Sequence, residues 1–317
     1  MTSVLGLRKW RRALLAVCCA ALGFAQPIWA EPTKTDFLAL AQKGWVYELR
    51  NSVKRRDASM PAVRIDSKEM AKGSICVIGE QPHAITQGVL RAFQNLIASV
   101  YGPVGTVTWG GATAASCHGP HRTYIRLYSG RPPHHAYNRD LRMLDQIYHI
   151  GLPKDRDQFV RSPAQASTFF GREGLASHLL IKQPSAMPLS PLERGFYASI
   201  LIEELYQAFS FGMDVLHFDR QKAFLSKIEE YPVNLRNLDW DSPRFMQGLL
   251  TSNPRGLCAF DVFMLHALAT SELENVNSNA FLEYLDHHFD ELVQQTRATV
   301  QEPEFAGIID RNCMDAP

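Results

Sequence analysis

Along the chain, segments whose apolar residues recur every three to four positions alternate with segments whose apolar residues run together. Between 36 and 56, Phe37, Leu40, Ala41, Trp45 and Leu49 fall at helical spacing, which predicts an amphipathic helix ending in a basic turn. A second stripe of Val89, Phe93, Leu96, Ile97 and Val100 predicts a helix over 85–102, with Gly102 as its stop. Short β-type runs at 61–66, 74–80, 105–111, 122–130 and 176–182 read as strands, several of them bounded by glycine. Residues 130–174 are rich in Pro, Arg and His and read as loop, with a short helix at 139–150. The next helix is announced by its cap: Ser190 precedes Pro191 at the first helical position, and Glu193 stands three residues after the serine. Strong periodicity returns at 256–273 and 279–300. Sheet-forming elements thus come first and helices later, an α+β order with a mixed β-sheet.

Composition narrows the function class. Lys+Arg 33 against Asp+Glu 32 leaves a net charge of +1, so no electrostatic footprint points to nucleic acid or acidic lipid. The N-terminus has a basic cluster (Arg8, Lys9, Arg11, Arg12), then an apolar run from Ala13 to Ala25, then small residues for cleavage at Ala25 or Ala30. That run is too short to span a bilayer and has the three-part form of a secretory signal peptide over 1–30. The expectation is an exported protein, periplasmic or secreted, with no transmembrane anchor after cleavage. Val17 is bulky for the position before a lipidated cysteine, so Cys18 does not read as a lipid anchor.

Removing the signal leaves Cys76, Cys117, Cys258 and Cys313, which allow three pairings. We favour Cys76–Cys117 and Cys258–Cys313, because each pair lies within one half of the chain. Their wide spacing argues against a structural zinc site.

The helix after Ser190 carries the candidate chemistry. At 100° per residue, Ser199, Glu203, Gln207 and Ser210 share one narrow stripe, about 80° wide, and apolar residues occupy most of the remainder. Glu204 lies beyond the edge of that stripe, among apolar neighbours, where a carboxylate needs a partner or a raised pKa. The bland interpretation is a buried helix with one wet seam. The sharper one compares the spacing with zinc peptidases, in which two histidines four residues apart bind zinc and the glutamate after the first is the general base. Here those positions hold Glu203, Gln207 and Glu204. The base position is kept and both imidazoles are replaced, one of them by a carboxamide, a weak zinc donor.

Glu203-Glu204-Leu205-x-Gln207 with Asp214 resembles the exported bacterial "domain of unknown function 2927" family, which has a zincin-like organisation and a Glu-Glu-Leu-x-Gln helix. The turn at 209–214 matches that family only at Asp214, and Asp261 in the later helix falls on the family's aspartate. The resemblance implies a zincin-like mixed sheet, a signature helix, a helical C-terminal half and an exported location; it implies no established activity. It sets the domain layout as a helical extension over 31–74, a zincin-like domain over 75–300 divided near 211, and a tail over 301–317.

Two functions follow as expectations. The favoured one is a non-catalytic binding or scaffold module with a protein or peptide partner in the cell envelope, its polar site made of Glu203, Glu204, Gln207 and Asp214, and without a cofactor. The alternative is a metal-dependent hydrolase with Glu204 as base and Glu203 and His217 among the ligands of a divalent ion. Loop histidines His118, His121, His134 and His135 are further but weaker ligand candidates, while His287 and His288 read as a solvated face. No Gly-x-Ser-x-Gly elbow and no phosphate loop occurs in the sequence.

Overall fold

The computed structural model describes residues 32–47, 65–118, 121–273 and 275–313. Residues 1–31, where a signal peptide is expected, and residues 48–64 lie outside that set. Its centre is a five-stranded sheet of β1 (Ser74–Gly79), β2 (Val107–Gly111), β3 (His121–Tyr128), β4 (Ala164–Gly171) and β5 (Gly174–Lys182), in the order β2-β1-β3-β5-β4. All neighbours are parallel except β4, which runs antiparallel to β5 along one edge. The architecture is therefore α+β with a mixed sheet.

Alternation along the strands builds two apolar cores. Ile75, Val77, Ile125, Leu127, Leu179 and Ile181 share one core with most of the helices. Cys76, Ile78, Tyr124, Tyr128, Ala176 and Leu180 share the other with α4 (His134–Tyr148), which presents Tyr137, Leu141, Leu144 and Tyr148. A sheet covered on both faces buries both sets of side chains, so its inner strands read as near-continuous apolar runs.

The remaining helices are α1 (Lys34–Trp45), α2 (Ser67–Lys72), α3 (Ala84–Tyr101), α5 (Pro191–Ser210), α6 (Pro243–Leu250), α7 (Ala259–Thr270), α8 (Asn279–His287) and α9 (Phe289–Val300). Two short strands, β6 (Val215–Leu216) and β7 (Glu229–Glu230), pair in parallel beyond the end of α5. The segments on either side of 75–300 enter the same core. Phe37 meets the edges of Phe260, Phe263 and Phe289 at 5.0–5.8 Å, and Phe305 and Ile308 are buried.

Several expectations change. The helix expected over 36–56 ends at Trp45 within the described residues, and of the run 61–66 only residues 65 and 66 are described, with Ile65 in a single bridge to Asn275. In the stretch read mostly as loop, the short helix expected at 139–150 is the longer helix α4, and the edge strand β4 is unexpected. That strand escapes the apolar pattern because its sequence, AQASTFFG, is half-exposed along most of its length. The periodic run 279–300 is two helices broken at His288. Both disulfides form with the favoured pairing, Cys76–Cys117 and Cys258–Cys313. No helix among the described residues is long and apolar enough to cross a membrane.

Candidate functional site

Helix α5 starts where its cap predicts. Ser190 accepts the Glu193 amide, and the Glu193 carboxylate accepts the Ser190 amide at 2.8 Å. It stops at Phe211 in the left-handed region, with φ 59°. The carbonyls at this end, which have no helical partner, are satisfied from α1: Trp45 Nε1 donates to the Ser210 carbonyl at 2.8 Å and Tyr47 Oη to that of Phe211 at 2.9 Å. A side chain at Gly212 would bring a Cβ to 2.7 Å from the Trp45 ring, so glycine is required there. Trp45 and Tyr47 thus dock α1 against the body, and they also close the end of the helix that carries the site.

The polar stripe of α5 is filled by a residue the sequence does not advertise. Lys227, whose side chain is wholly buried, donates to Glu203 Oε2 at 2.9 Å, Ser199 Oγ at 3.1 Å and the Pro254 carbonyl at 2.8 Å. Asn253 Nδ2 donates to the same Glu203 oxygen at 2.8 Å. Asp261 holds this lysine in place: its carboxylate accepts the Lys227 amide at 2.8 Å, the Cys258 amide at 2.7 Å and the Ser226 hydroxyl. One aspartate therefore caps α7 and fixes the 226–227 turn. Burial raises the Asp261 carboxyl to about 7 in spite of those donors.

One turn further along α5, Gln207 donates its side-chain amide to Asp214. Both positions compared with the zinc-peptidase histidine pair are thus engaged by the chain's own groups, Glu203 by Lys227 and Asn253, and Gln207 by Asp214. Glu204 is buried on the helix that packs against β4. Burial first, then repulsion from Glu203 and Asp214, raises its carboxyl well above the ordinary range. Crowding by protein atoms and repulsion from Glu203 and Glu230 push Asp214 up to about 7, although the residue lies at the exposed rim. Burial and Glu203 also raise Glu230. Four carboxyl groups thus interact around one lysine, and some of them keep protons near neutral pH.

This gives a pH prediction. A carboxyl whose folded pKa is raised stabilises fully below its unfolded value and loses that contribution as pH climbs toward the folded one. Thermal stability of the wild type is expected to fall between about pH 5 and pH 8. Glu204→Gln mimics the protonated acid, so it is expected to match wild type at pH 5 and to exceed it at pH 8 by on the order of 1 kcal/mol. Melting curves of both proteins at the two pH values check this, and parallel pH slopes would count against it.

The metal-ligand candidates do not converge. Among the described residues, no three His, Cys, Asp or Glu side chains are grouped as ligands of one ion. His217 stacks on Tyr231 at 5.3 Å and meets the edge of Phe224. His121 is turned to the His118 carbonyl at 3.0 Å, His134 to the Val160 amide, and His135 is exposed.

An open depression of about 470 Å³ adjoins the cluster, lined by Leu216, Glu230, Tyr231, Pro232, Val233 and Asn234. Exposed apolar side chains occur along the same segments: Met213, Leu216, Phe218, at 73% exposure, and Val233. Compared with known protein families, curated proteins and solved structures, the chain matches none.

A second polar group lies on the other face of the sheet. Arg126 of β3 makes two hydrogen bonds to Asp140 of α4, with Nη2 to Oδ1 at 2.8 Å, and also reaches the Ala112 carbonyl. His178 of β5 places Nε2 3.1 Å from Asp140 Oδ2. All three are buried. Sequence reading missed both this group and Lys227. A signal exists for the first: Arg126 and His178 interrupt apolar strand runs, where an interior charge requires a partner. Lys227 has no comparable mark.

Proposed function

We propose that this chain is an exported, non-catalytic binding or scaffold module built on a zincin-like frame, with a protein or peptide of the cell envelope as its partner. The observation that carries this reading is the wholly buried Lys227 Nζ on Glu203, in the seam where a metallopeptidase would hold its ion. A side chain anchored by three acceptors supplies from within the protein the contact that an ion would otherwise make. Glu204 supports the same conclusion, because its side chain is buried away from bulk water. The depression beside Glu230, with Leu216, Phe218 and Val233 on its segments, gives the module an apolar face with an acidic flank. Two disulfides accord with an oxidising, extracytoplasmic location.

Zinc titration of the purified mature protein, followed by calorimetry and elemental analysis, tests the reading. No stoichiometric binding is expected, in either wild type or Glu203→Gln. One zinc ion per chain that disappears in Glu203→Gln would overturn it and revive the hydrolase. For the binding face, Leu216→Asp with Phe218→Asp is expected to abolish chemical crosslinking to envelope partners without changing the melting temperature.

A further inference from the structure

The seam on α5 brings together an amine, a carboxamide and a carboxylate in a site nearly closed to water. Lys227 Nζ and Asn253 Nδ2 share one acceptor, Glu203 Oε2, at 2.9 and 2.8 Å. Asn253 is 5% exposed, and its Oδ1 is buried without a hydrogen-bond partner. The next residue, Pro254, receives the third hydrogen bond of the lysine at 2.8 Å, which holds the ammonium against this stretch of backbone. We propose that Lys227 and Asn253 are the two ends of an intramolecular isopeptide bond, formed with Glu203 as the proton carrier.

The chemistry balances without any co-reactant. Glu203 takes a proton from the Lys227 ammonium, and the freed Nζ attacks Asn253 Cγ. A half-turn of the Asn253 amide brings Oδ1 to Glu203, whose newly acquired proton then hydrogen-bonds the oxygen as it gathers charge. The Nζ–Cγ bond forms and the Cγ–Nδ2 bond breaks. Two protons leave Nζ in all, and Nδ2 departs with them as ammonium. No oxidant is needed and no water is consumed. Holding the amine beside the amide replaces a bimolecular encounter by an intramolecular one, which is the source of the acceleration. Glu203, with 17% of its side chain exposed, marks the way out for ammonia.

Pro254 bears on the competing reaction. An asparagine side chain ordinarily loses ammonia through attack by the following backbone nitrogen, and proline has no N–H with which to make it. At Asn253 the amine of Lys227 is the available nucleophile. The product amide still fills the seam and keeps one hydrogen for Glu203, so the binding-module reading holds whether or not the bond forms.

Peptide mapping of the folded, exported wild-type protein decides the matter. The expected result is one branched tryptic peptide joining 223–236 to 245–255, uncleaved at Lys227 and lighter by one ammonia than its two parts. Asn253→Ala and Lys227→Arg are each expected to abolish the branched peptide, and Glu203→Gln to leave the two parts unjoined. Recovery from the wild type of separate linear peptides containing an unmodified Lys227 and an unmodified Asn253 would overturn the proposal. Because that reading is made on the wild type, it holds even if a variant fails to fold.

Discussion

Arg126→Met is expected to lower the unfolding free energy by about 3–5 kcal/mol, the usual consequence of removing one partner from a buried ion pair. At about 2 °C per kcal/mol for a chain of this size, the melting temperature falls by roughly 6–10 °C. The side chains of Arg126 and Asp140 are 5% and 3% exposed, so water cannot replace the lost guanidinium. Burial alone would raise the Asp140 carboxyl; the hydrogen bonds and charges of Arg126 and His178 reverse this and hold it below the ordinary aspartate range. A depressed carboxyl stabilises above its unfolded pKa and loses that contribution as pH falls through its folded value. The deficit of Arg126→Met is therefore expected to be full at pH 7 and to shrink toward pH 4. Adding Asp140→Asn to Arg126→Met removes the stranded charge, and the double variant is expected to be more stable than Arg126→Met alone. Urea denaturation of the three proteins at pH 7 and pH 5 measures this. A single variant that melts within 2 °C of wild type would refute the assignment.

Loss of the second disulfide has an effect of similar size. The Cys258–Cys313 bond closes a loop of 55 residues, and Cys258→Ser with Cys313→Ser is expected to cost about 4 kcal/mol in the chain-entropy model. Cys258 is the N-cap of α7, one residue from Leu257, whose amide donates to Ile308 at 2.8 Å and whose carbonyl accepts from Asp310 at 2.9 Å. These hydrogen bonds and the buried Phe305 and Ile308 remain in the double serine variant. The protein is therefore expected to stay folded, with a lower denaturation midpoint and faster proteolysis after about residue 300. An unchanged midpoint and unchanged cleavage would show that the bond closes nothing the fold does not already hold.

The elements legible in the sequence were those whose local chemistry and burial agree. Ser190, Pro191 and Glu193 dictate the start of α5 through the backbone amides they satisfy, and the structure places the cap there. The stripe from Val89 to Val100 is helical with Gly102 as its C-cap, because one face is buried and glycine relieves the left-handed backbone at the end. The cysteine pairing was accessible because each pair lies within one half of the chain. Strand β4 was not legible: an edge strand with half-exposed side chains on both faces carries no alternation.

The candidate site divides along the same line. That Glu203, Glu204 and Gln207 stand on one helix, with a polar stripe and one acid among apolar neighbours, follows from the residues and a 100° turn, because helix geometry is local. What each group faces does not follow. Lys227 reaches Glu203 from 24 positions away and Asn253 from 50, carried there by the turn that Asp261 pins and by the loop ahead of α7. Arg126, Asp140 and His178 meet because strand register and helix packing set them together across the sheet. Sequence spacing encodes neighbours along an element, whereas the partners of a buried charge come from distant segments and are chosen by how those segments pack.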